Sequence, residues 1–141
     1  MKELENPRIE SKVNSFVEKG NELHDDKKYA QALEQYEKAW SILPEPKPEW
    51  QVANWISANI FSAYFDLGDY NEAKKWGEMT LQTRGSEIDT APSIDLGMVC
   101  YELEKFDEAY KYFNDAYSYG KERAFKGRPK KYLEFFLNKR A

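Results

Sequence analysis

Three stretches of the chain align with one another without a gap: KKYAQALEQYEKAW (27–40), GDYNEAKKWGEMTL (68–81) and EKFDEAYKYFNDAY (104–117). Each has an aromatic third residue (Tyr29, Tyr70, Phe106) and an alanine sixth (Ala32, Ala73, Ala109). The tenth position holds Tyr36, Gly77 and Phe113, and the thirteenth Ala39, Thr80 and Ala116. Agreement in three registers marks an internal repeat, and that limits the fold more than composition does, because each unit must bury its apolar face against its neighbours.

Before each of these stretches lies a second amphipathic run. Phe16, Gly20 and Leu23, then Ile60, Phe61 and Tyr64, then Leu96, Gly97 and Cys100 recur at steps of three and four, the period of one helix face. Small residues at Gly20, Gly97 and the repeated alanines let two helix backbones approach closely, with aromatics filling the gaps beside them. The expected unit is an antiparallel helix pair, and 41% hydrophobic residues in 141 supply enough material for a core.

These residues resemble the tetratricopeptide repeat (TPR) family, whose units of about 34 residues carry a Trp, Leu-Gly, Tyr, Ala, Phe, Ala, Pro pattern. The first unit supplies Phe16, Gly20, Leu23, Ala32, Tyr36, Ala39 and Pro44, with Lys19 in place of the usual leucine. The third supplies Leu96, Gly97, Ala109, Phe113 and Ala116, and Tyr101 stands where an aromatic is common. The second departs most, with Phe61 in place of glycine and Gly77 in place of the aromatic. The resemblance implies an all-α fold: three antiparallel helix pairs in a right-handed superhelical stack, closed by a C-terminal capping helix. A single domain over 1–141 is expected, with repeats at about 13–46, 49–87 and 90–123 and the closing helix at 128–140.

The spacing of the units adds detail. The repeated alanines lie 41 and then 36 residues apart, and the first excess falls at LPEPKPEWQ, where Pro44, Pro46 and Pro48 oppose helix. A stiff extended linker is expected there, followed by a helix starting at Pro48 or Glu49 whose early turns carry Trp50 and Trp55 beyond the core. Asn6-Pro7 suits the start of the first helix, and Thr90 with Pro92 that of the third unit. After Gly127 and Pro129, the segment PKKYLEFFLNKR has Tyr132, Leu133, Phe136 and Leu137 as an apolar stripe for closing the stack.

The pair Phe61 and Gly77 reads as an exchange: bulk on the first helix occupies space that the second vacates. A binding pocket at Gly77 is the alternative.

Catalytic chemistry has no signature. The chain lacks a phosphate-binding glycine loop, a nucleophile elbow and a metal-spaced ligand set, so no catalytic, cofactor or metal residue is expected. Cys100 and His24 are each the sole residue of their type, and Cys100 in an apolar run reads as a small buried hydrophobe. No apolar run is long enough to span a membrane, and MKELENPRIE is too polar for a secretion signal, so the cytoplasm is the expected compartment. Residues 1–120 carry a net charge of -10 and residues 121–141 a net +6. An acidic body does not suit nucleic acid.

By the resemblance, the first helices of the pairs line a concave groove, and its partner-binding candidates are Asn21 and His24; Trp55, Asn59, Ser62, Phe65 and Asp66; Asp95, Met98, Tyr101 and Glu102; with Trp50 just past the prolines. The family's carboxylate clamp pairs two asparagines with three basic residues. Asn21 and Asn59 hold the asparagine positions, but Val17, Ala91 and Asp95 hold the basic ones, so an acidic chaperone tail is disfavoured. An aromatic and acidic groove favours a partner bearing Lys or Arg. Trp55, Phe65 and Tyr101 have a second reading as packing between helices, while Trp50 is expected to be exposed.

The closing segment YGKERAFKGRPKKYLEFFLNKR resembles the end of small stand-alone bacterial TPR proteins, some of which serve as immunity proteins of toxins. That implies a monomeric protein-binding module that neutralises a cognate basic toxin domain. The alternative is an adaptor or chaperone holding an extended peptide of a secreted or regulatory protein.

Overall fold

A computed structural model describes residues 2–141; the first residue of the expected domain lies outside that range. The described residues form α1 (Pro7–Asp25), α2 (Tyr29–Ser41), α3 (Gln51–Leu67), α4 (Tyr70–Gln82), α5 (Ala91–Glu102), α6 (Phe106–Gly120) and α7 (Lys130–Arg140). Single 3-10 turns at Lys47–Glu49 and Lys121–Phe125 precede α3 and α7. The expected all-helical repeat is present, as α1 pairs with α2, α3 with α4 and α5 with α6. The packing gathers into two compact units, Met1–Thr83 and Arg84–Ala141.

The three turns share one backbone solution. Lys27, Gly68 and Glu104, the first residues of the three aligned stretches, take φ of 62°, 82° and 62°. Each amide of these residues donates to a carbonyl three back, on His24, Phe65 and Tyr101. The next amides, of Lys28, Asp69 and Lys105, donate to the carbonyls of Leu23, Tyr64 and Cys100. This paired closure satisfies the last carbonyls of a helix and requires a left-handed residue. Only the middle unit places glycine there, so the outer two carry a Cβ in a conformation that L-residues disfavour.

Inside the first unit, Val13, Val17, Ala32, Tyr36, Ile56 and Ile60 are fully buried. Gly20 crosses Tyr36 so closely that a Cβ on it would lie 2.4 Å from ring carbon Cε1. Within Arg84–Ala141, Gly97 meets Phe113 in the same way, at 2.3 Å. The register-equivalent pair in α3 and α4 is Phe61 and Gly77, and both are buried. In the sequence of this middle pair the glycine lies on α4 and the aromatic on α3, the reverse of the other two. Trp40 and Trp76 add an edge-to-face contact at 5.1 Å between α2 and α4.

Several local expectations need correction. The proline segment is folded rather than extended: Lys47 Nζ donates to the carbonyls of Ser41 at 3.1 Å and Leu43 at 2.8 Å, drawing the segment over the end of α2. Pro48 lies in the 3-10 turn, and α3 begins only at Gln51 because Trp50 is extended, with ψ 139°. Backbone bonds from Lys2 N to Glu49 O and from Gln51 N to Lys2 O hold Trp50 in that conformation. Asn6 caps α1 as expected, accepting from Arg8 N at 2.9 Å. Thr90 makes no side-chain cap; Asp89 Oδ1 accepts from Ala91 N at 3.3 Å instead. Pro129 is extended, with ψ 138°, which delays α7 to Lys130.

In the second unit α7 closes the face left by α5 and α6. Tyr132 and Phe136 are buried, with Phe136 at 5.2 Å from Tyr110 and 5.0 Å from Tyr117 between ring centres. Leu133 and Leu137, expected in the same stripe, remain half-buried because they lie one position round the helix. Cys100 is buried. No described helix is long and apolar enough to cross a membrane.

Candidate protein-binding face

Helix α3 reads QVANWISANIFSAYFDL, and Asp66 is its single formal charge. A solvent-facing helix surface is ordinarily laced with Lys and Glu; one that keeps aromatic residues while losing charge shares two compositional features of an interface core. Trp55, Asn59, Ser62 and Asp66 follow steps of four, three and four, so they share one face. Trp55 is 40% exposed and Ser62 and Asp66 also reach solvent. Asn59 is half-buried, its Nδ2 donating to the carbonyl of Trp55 at 3.0 Å, which fixes the amide on that face.

Helix α1 joins this face through its last turns. His24 Nε2 lies 2.7 Å from Asp66 Oδ2; since the carboxylate can only accept, that nitrogen carries the proton. The His24 ring packs edge-on against Tyr29 at 5.2 Å. Tyr36 OH donates to Asn21 Oδ1 at 2.7 Å. Burial and the nearby Asp25 carboxylate push the Tyr36 phenol up to about 12, so it stays neutral and keeps that bond. Asn21, His24, Asn59, Ser62 and Asp66 are therefore assembled on one surface by the α1 and α3 helices. Phe65 is half-buried, its ring 5.7 Å from that of Phe61 and 5.3 Å from that of Tyr70.

Trp50 is not the exposed anchor expected of it. Its ring is half-buried against the core of the first unit, and its indole N–H donates to the Pro44 carbonyl at 2.7 Å. The folded proline segment brings that carbonyl within reach, so Trp50 pins the linker.

In the second unit the remaining candidates are already occupied by the chain itself. Arg128 pairs with Asp95 and donates to Met98 Sδ at 3.4 Å. Lys131 Nζ and Tyr132 OH donate to Glu102 Oε1 at 2.6 and 2.8 Å. Tyr101 packs against Tyr132 at 5.4 Å and Phe135 at 5.2 Å. Met98 is 6% exposed. Burial raises the Asp95 carboxyl above the usual range, and the Arg128 guanidinium opposes that shift without cancelling it. Arg128 and Lys131 were absent from the site expected from the sequence; the signal for them was the basic 121–141 segment set against the two acids of α5.

The tetratricopeptide repeat family model matches residues 94–119, which cover most of α5 and of α6. No curated protein matches. Among solved structures, the first TPR of Spaghetti (RPAP3) bound to the HSP90 peptide SRMEEVD is similar at TM-score 0.72 and 20% identity, over 93% of this chain and 95% of that one. The first TPR domain of human RPAP3 gives 0.68 and 21% over 91% and 94%. The Sgt2 TPR domain from Aspergillus fumigatus gives 0.67 and 17% over 96% and 78%. Repeat register, the matched third pair and these likenesses together give the chain the tetratricopeptide repeat fold.

Proposed function

We propose that this chain is a protein-binding module, acting by association rather than catalysis, and that the α1 and α3 face of its first unit receives the partner. The charge-poor surface of α3, with Trp55 exposed and Asp66 at its end, carries this reading. An aromatic that is not consumed by packing is the usual anchor of a contact, and an acidic body speeds encounter with a basic partner. Val17 is fully buried and Asp95 is paired with Arg128, so the positions that would need cations for an acidic tail offer none.

Within that class, the most specific role is a cytoplasmic, monomeric immunity protein that occludes a basic toxin domain, supported by the net -10 over residues 1–120. One observation favours an adaptor that holds a peptide instead: a solved structure with this fold has a peptide bound. Co-expression with the product of an adjacent gene separates them. The immunity role requires a neighbour that arrests growth alone, growth restored by this chain, and rescue weakened by Trp55→Ala. A neighbour that is harmless alone, or stays toxic in the complex, overturns immunity, and its stoichiometric, Trp55-dependent co-purification then supports the adaptor role. Binding that survives Trp55→Ala and Asp66→Lys together refutes the face itself.

A further inference from the structure

The structure contains its own example of what such a face accepts. At the offset of 36 between the second and third sequence repeats, Asn59, Ser62, Phe65 and Asp66 of α3 correspond to Asp95, Met98, Tyr101 and Glu102 of α5. On α5 this surface is met by residues 128–135: Lys131 reaches Glu102 at 2.6 Å, and Phe135 packs on Tyr101 at 5.2 Å. Lys131 and Phe135 are four apart on α7, so one helical face delivers a cation to the acid and a ring to the aromatic. The α3 surface presents the same order, Phe65 then Asp66, with the Asp66 side chain 43% exposed although one oxygen is engaged by His24. Asn59 replaces Asp95, so the counterpart of Arg128 has no acid to meet.

We propose that the α3 face binds a helical partner segment carrying a Lys or Arg and an aromatic residue at i and i+4, docked as Lys131 and Phe135 dock on α5. This rests on the protein-binding reading and narrows it to one chemistry: a single cation for Asp66, a ring for Phe65, and no second basic residue required. Charge complementarity supports it, since α3 offers one acid and no cation.

The test uses a labelled synthetic peptide of residues 128–140 and the full-length chain, read by fluorescence anisotropy. Binding is expected, and Asp66→Asn in the protein or Lys131→Glu in the peptide should each weaken it by about tenfold or more, the scale of a lost charge-assisted contact. Phe135→Ala in the peptide should do the same, whereas Arg128→Ala should leave binding unchanged. Asp66→Asn keeps an acceptor for His24, and circular dichroism confirms its folding. Loss of binding in Glu102→Gln but not in Asp66→Asn would mean that the peptide has exchanged with α7, and would overturn the proposal. So would the absence of binding, or binding indifferent to Asp66. If the Trp55-dependent partner capture described above persists in those cases, the protein-binding reading stands and only the segment chemistry falls.

Discussion

Gly97→Ala probes the glycine and aromatic crossing that repeats through the fold. An added Cβ would sit 2.3 Å from Cε1, 2.4 Å from Cδ1 and 2.9 Å from Cζ of Phe113, where ordinary contact begins at 3.4 Å. The ring must therefore retreat by roughly 1 Å, against interior packing with little free space. Phe113 is fully buried, with Phe125 at 5.2 Å, Tyr132 at 6.0 Å and Phe135 at 6.2 Å around it. Overpacking of this kind costs about 1–3 kcal/mol or more. Replacing glycine by alanine in a helix interior returns about 1 kcal/mol. The clash involves the body of a rigid ring, so the steric cost should outweigh the gain in helix propensity, leaving a net loss of about 1–2 kcal/mol. Urea unfolding of wild type and variant, followed by helical circular dichroism, reads this as a lower midpoint. A second substitution, Phe113→Leu, should cost less in the Gly97→Ala background than alone, because the smaller side chain accepts the methyl group. A midpoint that rises in Gly97→Ala, or a cycle with no coupling, would refute the steric argument.

Other outcomes follow from the same structure. In the middle unit, Phe61→Gly with Gly77→Phe should be more stable than either single variant, since the double restores the arrangement of the outer pairs; additivity of the two losses would show that the positions do not face each other. Lys27→Gly and Glu104→Gly should each stabilise by up to about 1 kcal/mol in thermal or urea unfolding, because glycine adopts positive φ without the penalty of a Cβ. Trp55→Ala should weaken partner binding by at least about 1 kcal/mol with the unfolding midpoint kept, whereas Trp50→Ala should lower the midpoint by releasing the proline segment. The Tyr36 phenol titrates at about 12 in the fold against an ordinary 10. A raised folded value means that the folded state holds the proton longer, so the contribution of Tyr36 to stability is constant below pH 10 and is lost as pH rises from 10 towards 12. Tyr36→Phe should lessen that decline; an unchanged alkaline profile would refute the assignment.

The pairs of helices were legible because they depend on periodicity, and three independent copies of one register correct each other. Gly20, Gly97 and the alanines marked the crossings directly, since close approach leaves no choice but a small residue. What failed to show was settled by contacts distant in sequence. Trp50 looked exposed because the prolines suggested an extended chain, yet Lys47 reaching back to the end of α2, and the backbone of Lys2, folded that chain and left the ring half-buried. Thr90 has the right chemistry for a cap and lost to Asp89, whose carboxylate reaches the Ala91 amide. Candidate groove positions on α5 and α3 looked alike from register alone. Only the packing of α7 reveals that Asp95, Met98 and Glu102 are engaged within the chain, while Asp66 and Ser62 on α3 still face solvent.

The internal pairing of the C-terminal segment changes how this molecule looks from afar. Composition assigns residues 121–141 a surplus of six positive charges, but Arg128, Lys131 and Lys139 each sit against an acid outside the segment, Asp95, Glu102 and Asp107. Beyond a Debye length of about 8 Å in physiological salt, each such couple presents a dipole rather than a cation. A heparin or cation-exchange column would therefore meet about half the nominal surplus, and retention should be weak for a tail of this composition. The basic end should then elute as part of a mildly acidic whole.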